Sequence, residues 1–316
     1  MAEITAQLVK TLRERTGAGM MECKSALTEA KGDLSEAEIV LRKRGIASAT
    51  KKSSRTTKQG LIEPYTQADG QLAVLVEVNC ESDFVARTED FITLAKDMAY
   101  HIAEADPQFI KGTEAPAEHL KKALYEQNYK SDGQLTGSLT IDQHIKTKIA
   151  KLGENIAVTR FTRIHVVPHH GIAAVYIHPG GQLGTMVELT SQNAASAATE
   201  EFRGLAHDLA MHIAAADPQF ISRADVDQPA LDKERDIQRA RALAEGKPEK
   251  VVDKMVEGRM AKYYEEVCLL EQPFVKENTL TIEQLLKSKF KGETITVARF
   301  VRYKVGDTAA EAGQSE

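Results

Sequence analysis

Hydrophobic and polar residues follow two different periods along the chain, and the change from one to the other marks successive elements. Over 72–79 every second position is apolar, with mixed residues between, which is typical of a strand. Over 91–102 the apolar residues recur every three or four positions, which predicts a helix with one buried face. Asp83 and Phe84 lie in the short connection between this strand and this helix.

The strand–loop–helix–strand unit occurs twice in the sequence. AKDMAYHIAEADPQFI at 95–110 recurs as AHDLAMHIAAADPQFI at 206–221. LGENIAVTRFTR at 152–163 recurs as KGETITVARFVR at 291–302. Internal similarity on this scale predicts two copies of one α+β unit that share a core pattern.

Phe84 has two interpretations. Burying a phenylalanine is worth roughly 1.5–3 kcal/mol, so a place in the protein's own core is the ordinary expectation. When the two copies are aligned, however, Asp83 and Phe84 fall on Ala194 and Ala195. A residue needed only for the shared core would recur in the second copy. The comparison therefore favours a role for Phe84 outside the core.

Residues 1–45 predict a compact module of three short helices. Gly32 ends the second helix, and Asp33 with Glu36 has capping-box spacing for the start of a third, which we expect Gly45 to end. Methionines at an exposed helix start serve as core filler or as an adaptable docking surface. Both interpretations stand for the pair Met20-Met21 at the start of the second helix.

We divide the chain into an N-terminal docking module with a basic linker at 1–55, a first repeat at 56–166, a second repeat at 167–304 and a disordered tail at 305–316. The second repeat carries about 28 additional residues, which predict an antiparallel helical hairpin at about 224–264. Its apolar stripes are narrow, enough for one helix to face the other. The hairpin is either an ornament or an arm that grips a partner, and we favour the arm.

Composition and charge narrow the class of function. The 316 residues carry a formal net charge of −5, so we expect no general attraction to nucleic acid or to an anionic membrane. Lys51, Lys52, Arg55 and Lys58 form a basic segment without interleaved aromatic residues, which favours a solvated linker over an RNA-binding arm. Three well-separated cysteines, and no apolar run as long as a membrane span, indicate a reduced, cytoplasmic protein.

Sequence motifs for catalysis and for metal binding are absent. GxxxxGK[ST], HExxH, GxSxG and CxxC do not occur. His165, His169 and His170 have no acidic or cysteine partner at ligand spacing, which favours a solvated loop over a metal site. His101 and His212 lie beside the apolar stripe in both copies, which favours a structural role. We therefore predict a binding protein with no catalytic residues, no metal and no cofactor.

Two stretches are similar to the signature motifs of a known family. LRERTGAGMMECKSAL at 12–27 and EVNCESDFVAR at 77–87 resemble those of the translation elongation factor Ts family. The resemblance covers nearly the whole chain, including KMVEGRM at 254–260. The family usually has threonine in place of Ser82, and the hydroxyl is kept. The resemblance implies a small N-terminal three-helix (UBA-like) module, a duplicated α+β core with antiparallel sheets and an inserted antiparallel helical hairpin of coiled-coil type.

The resemblance also implies a function, because members of this family are guanine-nucleotide exchange factors for elongation factor Tu. It implies that a loop enters the GTPase near the nucleotide and displaces magnesium, and the loop residues are Ser82, Asp83, Phe84 and Val85. The residues implied to bind the partner elsewhere are Arg13, Met20, Met21, Lys24, Leu152, Gly153 and His178. For the last three, the flanking sequence differs from the family pattern.

Two hypotheses from other classes stay open at this point. An RNA- or ribosome-associated adaptor built on the helical module and the basic segment would bind RNA with a strong salt dependence. A small-molecule enzyme would use the cleft between the repeats, although no motif supports one. The exchange hypothesis predicts a stable complex with a GTPase instead.

Overall fold

The computed structural model describes residues 4–131, 134–246, 248–290 and 292–308. These residues form an α+β fold with two antiparallel three-stranded sheets. The sheets face each other through an apolar layer, and helices cover the outer face of each. None of the helices in these ranges is both long and apolar enough to cross a bilayer.

The N-terminal module is built from α1 (Ala6–Thr16), α2 (Met20–Glu29) and α3 (Leu34–Lys52). Asp33 caps α3, as predicted, because its side chain accepts a hydrogen bond from the Glu36 N–H. The buried side chains that the three helices share are small or aliphatic: Val9, Leu12, Cys23, Ala26, Leu27, Ala30 and Ala37.

Helix α3 does not end at Gly45, where the sequence predicted its end, but continues to Lys52. A Cβ atom at Gly45 would lie 2.9 Å from the Cβ of Ala150, so glycine allows α3 to approach a neighbouring helix closely. The prediction was wrong because a glycine required by packing looks the same in sequence as one that ends a helix. Lys51 and Lys52 therefore belong to the last turn of α3, where positive charge is favourable.

The elements of the first repeat are β1 (Gln59–Thr66), β2 (Leu72–Cys80), α4 (Asp83–Ala86), α5 (Glu89–Ala105), β3 (Asn128–Ser131), β4 (Gln134–Thr140), α6 (Ile141–Leu152) and β5 (Ile156–His165). Strand β2 is central and pairs antiparallel with β1 and β5. Helices α5 and α6 contribute to the core on the outer face of this sheet, and β3 and β4 form a separate hairpin.

The elements of the second repeat are β6 (Gly171–Ile177), β7 (Leu183–Ser191), α7 (Ala194–Ala197), α8 (Glu200–Ala216), α9 (Gln228–Ala244), α10 (Glu249–Val267), β8 (Pro273–Phe274), β9 (Glu277–Thr281), α11 (Ile282–Lys289) and β10 (Ile295–Lys304). Strand β7 is central, between β6 and β10. Apart from α9 and α10, each element has a counterpart in the first repeat, so the predicted duplication is confirmed.

Strand β2 is buried on both faces along its whole length. Val74, Val76 and Val78 pack toward the helices, whereas Ala73 and Leu75 pack between the two sheets. This confirms the period-2 pattern predicted from the sequence. Burial on both faces also explains why the positions between the valines are largely apolar.

The predicted hairpin consists of the antiparallel helices α9 and α10, which ion pairs such as Arg239–Asp253 connect. The inserted segment is longer than the predicted surplus of about 28 residues. Bridged residues delimit it: Phe109 pairs with Ala123 in the first repeat and Phe220 with Cys268 in the second. Their separations are 14 and 48 residues. The net difference in length between the two repeats is smaller than the inserted segment, in part because the hairpin of β8 and β9 is shorter than that of β3 and β4.

The segment predicted as a disordered tail begins inside the fold. The Val305 N–H donates to the carbonyl of Gln182 at 2.9 Å, and the Gly306 N–H donates to Glu77 Oε1 at 3.0 Å. Residues 309–316 of the predicted tail lie outside the described residues. The sequence showed only the polar, small residues of this segment and not the buried acceptor that its start meets.

His101 and His212 occupy equivalent positions in α5 and α8, and both are buried. In each case the histidine Nε2 contacts a glutamine Oε1, that of Gln127 at 2.9 Å and that of Gln272 at 3.0 Å. Because the same contact occurs in both repeats, it supports the structural role predicted for these two histidines.

We expect acid to destabilise the second repeat through His212. The Gln272 amide donates to the carbonyl of Glu266, so its oxygen accepts from His212 Nε2, and His212 Nδ1 then accepts from the Val275 N–H. Burial lowers the pKa of His212 below its ordinary value of 6.5. Unfolded chains therefore bind this proton more readily. Neutral His212 therefore contributes fully to stability above about pH 6.5. This contribution is lost as the pH falls through the pKa that His212 has in the folded protein.

Thermal melting from about pH 8 to about pH 5 tests this expectation. The melting temperature of the wild type should fall with acidification, and His212→Gln should fall less steeply because glutamine does not titrate in this range. The comparison uses slopes, since the variant starts from a lower stability. Equal slopes for the two proteins would show that His212 does not contribute to the acid sensitivity.

Candidate functional site

The tip of the first repeat, residues 81–87, is built around the one-turn helix α4. Strand β2 ends at Cys80, and Ser82 caps α4 through a hydrogen bond from the Val85 N–H to its hydroxyl at 3.4 Å. Thr88 caps α5 immediately afterwards. The two caps are six residues apart, so the chain turns sharply and presents the residues of α4 at the end of the sheet.

Phe84 is 80% exposed, more than any other large hydrophobic side chain in the described residues. The interpretation that it packs into the protein's own core is therefore wrong. Asp83 lies beside it, half exposed, and forms an ion pair with Arg87 at 3.0 Å. An exposed aromatic side chain on a well-capped turn gains little from the folded chain itself, which favours contact with a partner.

Val85 points away from Phe84 and is buried in the core beneath α4. The four residues assigned to the tip therefore divide by orientation. Asp83 and Phe84 face outward, Ser82 caps the turn from a half-buried position, and Val85 anchors the turn from below. Only the first two are placed to enter a partner protein.

Glu154 holds the backbone that leads into the tip. Its Oε2 accepts from the N–H groups of Glu81 at 3.1 Å and Ser82 at 2.9 Å, and its Oε1 accepts from the Ser82 hydroxyl at 2.6 Å. The next residue, Asn155, donates its N–H to Glu81 Oε1 at 2.6 Å. The sequence did not indicate this role of Glu154, because a glutamate before a strand has several common roles.

The second repeat keeps the capped turn and a nearby glutamate, but not the outward-facing pair. Helix α7 begins with Ala194 and Ala195, and Asn193 caps it. Glu293 corresponds to the glutamate of the first repeat, but its Oε1 accepts from the side chains of Asn193 and Ser196, both at 2.8 Å. The scaffold is therefore duplicated, whereas the aromatic and acidic tip is not.

The four implied docking residues of the N-terminal module, Arg13, Met20, Met21 and Lys24, are all exposed. Helix α2 buries the face that carries Cys23 and leaves the two methionines and the lysine on the other side. Of the two interpretations of the methionine pair, core filler is thus wrong. Their role in docking stays a prediction.

Leu152 and Gly153 lie next to the tip because they directly precede Glu154. Gly153 ends α6 with a left-handed conformation at φ 85°, and its carbonyl accepts from Lys52 Nζ at 2.8 Å. This contact joins the end of the N-terminal module to the tip. Leu152 is half buried and packs against the core of the first repeat.

His178 is exposed in the turn between β6 and β7, with its Nδ1 3.1 Å from the Tyr176 hydroxyl. Gln182 in the same turn donates to the carbonyl of Gly60 at 2.9 Å. Gly60 pairs with Asn79, which lies near the end of β2. The turn therefore contacts β1, the strand that pairs with β2, so the implied core contacts are on neighbouring elements.

No metal-binding arrangement of His, Cys, Asp and Glu occurs in the part of the chain that the structure describes. His165, His169 and His170 are exposed at or beside the turn between β5 and β6, as predicted for a solvated loop. Cys23, Cys80 and Cys268 are free and buried. Burial, together with the negative charge of Glu154, raises the pKa of Cys80 to about 12, so this thiol next to the tip stays protonated at neutral pH.

Comparison with known proteins places the chain in a family. The model of the family described as "Elongation factor TS" matches residues 5–134 and 126–307. The chain is 46% identical to elongation factor Ts of Solibacter usitatus (strain Ellin6076) over 318 residues, covering 100% of this chain and 98% of the relative. It is 44% identical to that of Clostridium kluyveri (strain ATCC 8527) over 96% of this chain and 93% of the relative. For Nostoc sp. (strain PCC 7120) the values are 42%, 97% and 94%.

Identity of this extent, across both repeats and the hairpin, agrees with the motifs at 12–27 and 77–87. The chain therefore belongs to the elongation factor Ts family, whose members act in translation elongation as nucleotide exchange factors and not as enzymes.

Proposed function

We propose that the protein binds elongation factor Tu in its GDP-bound and nucleotide-free states and promotes GDP release, so that GTP can be loaded. In this proposal Asp83 and Phe84 enter the GTPase beside its nucleotide site and displace the magnesium ion. The observation that carries the proposal is Phe84, an exposed aromatic side chain on a capped turn that the second repeat lacks.

Exchange of this kind requires no chemistry from the factor. A protein that binds the nucleotide-free GTPase more tightly than the GDP form weakens GDP binding by the same factor. Bound GDP is held largely by phosphate contacts and by magnesium, which neutralises charge between loops. An aromatic side chain and a carboxylate placed beside that ion are enough to disturb it. The proposal therefore needs no catalytic residue, cofactor or resident metal in this chain.

Other surfaces would supply much of the affinity. Arg13, Met20, Met21 and Lys24 are exposed, long and adaptable side chains suited to docking on the GTPase domain. Leu152 and Gly153 beside the tip, and His178 on the neighbouring turn, would extend the contact. This role implies a cytoplasmic protein that binds neither nucleic acid nor membrane directly.

The structure gives little support to an enzyme in the cleft between the repeats. A groove of about 310 Å³ lies there, with Pro64, Gly70 and β6 among its lining. Its charged or titratable lining residues, within the described parts of the chain, are Arg203 and His207, and no carboxylate or thiol lines it. A pair of carboxylates, a carboxylate–histidine pair or a thiol nucleophile therefore has no candidate among these lining residues.

Release of labelled GDP from elongation factor Tu tests the proposal. The release rate should rise with the concentration of this protein and reach a plateau, and magnesium in excess should oppose the effect. Absence of acceleration at every concentration would overturn the proposal. RNA binding that falls steeply with salt, without acceleration, would favour the adaptor hypothesis instead.

Shortening the hairpin should weaken binding without unfolding the protein. Leu231 and Met260 are buried with Cys268 at the base of the hairpin, so a test should keep them. Replacing residues 239–254 with a short Gly/Ser bridge removes only the outer turns, where Ala242 of α9 and Val252 of α10 are buried. We expect a melting temperature close to that of the wild type and a higher concentration for half-maximal exchange, with the plateau rate retained.

Thermal melting and a titration of the release rate measure the two effects separately. A large fall in the melting temperature would show that the outer turns belong to the core. An unchanged titration would show that the outer turns of the hairpin do not contribute to partner binding, which is the alternative that the sequence left open.

A further inference from the structure

The backbone that presents the tip is held by a single carboxylate from a distant part of the chain. Glu154 lies 72 residues after Ser82, and its two oxygens accept from two consecutive N–H groups and one hydroxyl. Hydrogen bonds to an ionised acceptor are stronger than those between neutral groups. The Ser82 hydroxyl donates its one proton to Glu154 and therefore accepts the Val85 N–H with a lone pair. The cap of α4 and the contact with Glu154 are thus linked at one hydroxyl.

The segment that carries Glu154 is itself braced. Asn155 is buried, and its side-chain amide donates to the carbonyls of Ser53 at 3.3 Å and Arg55 at 2.7 Å. Its backbone N–H donates to the side chain of Glu81. The chain just after α3, the start of β5 and the tip are therefore joined at one point. A carboxylate on such a base can fix the tip, because its own position is fixed.

The second repeat shows which of these contacts the fold itself requires. Glu293 occupies the place of Glu154, yet its Oε1 accepts from the side chains of Asn193 and Ser196. Both copies of the unit fold with a glutamate at this point. The pair of hydrogen bonds from backbone N–H groups to this glutamate, which we call the backbone clamp, occurs in the copy with the Asp-Phe tip. The clamp is therefore associated with presentation of the tip and not with the shared scaffold.

We infer that Glu154 is a positioning residue for exchange: it fixes the backbone of Glu81 and Ser82 so that Asp83 and Phe84 point outward in one orientation before the partner binds. The inference rests on the exchange function proposed above. A side chain that must enter a narrow site loses less conformational entropy on insertion if its backbone is already ordered. The benefit appears in the inserted state, so it affects the limiting rate of release more than complex formation.

Titrations of GDP release with Glu154→Ala and Glu293→Ala test the inference as a matched pair. Glu154→Ala should lower the limiting rate about tenfold and change the concentration for half-maximal effect less than about threefold. Glu293→Ala removes the equivalent side chain from the copy without the tip and should keep the limiting rate. Glu154→Gln should restore most of the rate, because the amide oxygen still accepts from both N–H groups while its NH₂ faces the Ser82 hydroxyl.

Amide hydrogen exchange at Glu81 and Ser82 provides a readout without the partner. Glu154→Ala should lose protection at these two amides while the centre of β2 keeps it. If Glu154→Ala does not fold, Glu154→Asp, which is one methylene shorter, should show the same loss. Retained protection or a retained limiting rate would overturn the inference. If wild-type protein fails to accelerate release although protection depends on Glu154, the exchange function fails and the clamp does not.

Discussion

Replacing Phe84 with alanine should slow factor-stimulated GDP release about 30-fold and leave the stability of the protein almost unchanged. Aromatic anchors at the centre of an interface are commonly worth about 2 kcal/mol or more, and each 1.36 kcal/mol corresponds to a tenfold change in rate. Because Phe84 is 80% exposed, its truncation removes little buried surface from the folded chain. The effect should appear at saturating factor, since in the proposed function other surfaces supply much of the affinity.

Phe91 gives a matched control only seven residues away. It is fully buried in the core of the same repeat, so Phe91→Ala should lower the free energy of unfolding by about 3–5 kcal/mol. The fraction of this variant that stays folded should then stimulate GDP release from the GTPase at the normal limiting rate. A large loss of stability in Phe84→Ala, together with a normal limiting rate, would return Phe84 to a structural role.

Asp83→Ala should act in the same direction as Phe84→Ala but less strongly. The ion pair of Asp83 with Arg87 is exposed, so its loss should change stability by less than about 1 kcal/mol. Arg87→Ala removes the same pair and keeps the carboxylate, and it therefore separates the two effects. Since the proposed function has Asp83 and Phe84 act on one target, the double variant should lose less than the two single losses combined.

The sequence alone identified the tip because the chain contains its own comparison. Asp83 and Phe84 stand out only against Ala194 and Ala195, at equivalent points of a unit whose core pattern is otherwise kept. Strand β2 was equally accessible, since its alternation of valines is a local property. Local patterns and an internal repeat thus predict which residues form the core and which residue does not fit it.

Features that depend on contacts between distant residues were not accessible in this way. Glu154 meets the tip from 72 residues away, and Gly45 is required by a contact with Ala150 on another helix. Neither has a local signature, because a glutamate before a strand and a glycine within a helical stretch each have several common roles. The start of the C-terminal segment is a third case, since Gly306 is ordered by a buried carboxylate on β2.

That carboxylate, Glu77, is fully buried between the sheets, close to the end of β2. Its Oε2 accepts from Arg160 Nε at 2.7 Å, and its Oε1 accepts from the Asn79 side-chain amide at 2.9 Å and the Gly306 N–H. Arg160 also lies over the ring of Tyr303 and donates to a carbonyl of β10. The strand that ends at the tip is therefore tied by one charge pair to the opposite sheet and to the C-terminal segment.

Arg160→Met should lower the free energy of unfolding by about 3–5 kcal/mol, because it leaves the Glu77 charge buried between the sheets and unpaired. Methionine keeps apolar contact with the Tyr303 ring, so the loss reports mainly on the charge. The second repeat supplies the matched control. Arg299 and Glu188 form the equivalent pair at 2.6 Å, but this arginine is half exposed and Glu188, unlike Glu77, keeps part of its side chain in contact with water. Arg299→Met should therefore cost less than Arg160→Met.

A second substitution should then recover stability in the weakened protein. In the Arg160→Met background, Glu77→Gln keeps an oxygen that can accept from the Asn79 amide and the Gly306 N–H, and it removes the charge that no longer has a partner. Denaturant unfolding of the two single variants, the double variant and Arg299→Met measures all four values. We expect the double variant to be more stable than Arg160→Met alone. Equal losses for Arg160→Met and Arg299→Met, or a further loss in the double variant, would show that the buried charge is not what Arg160 neutralises.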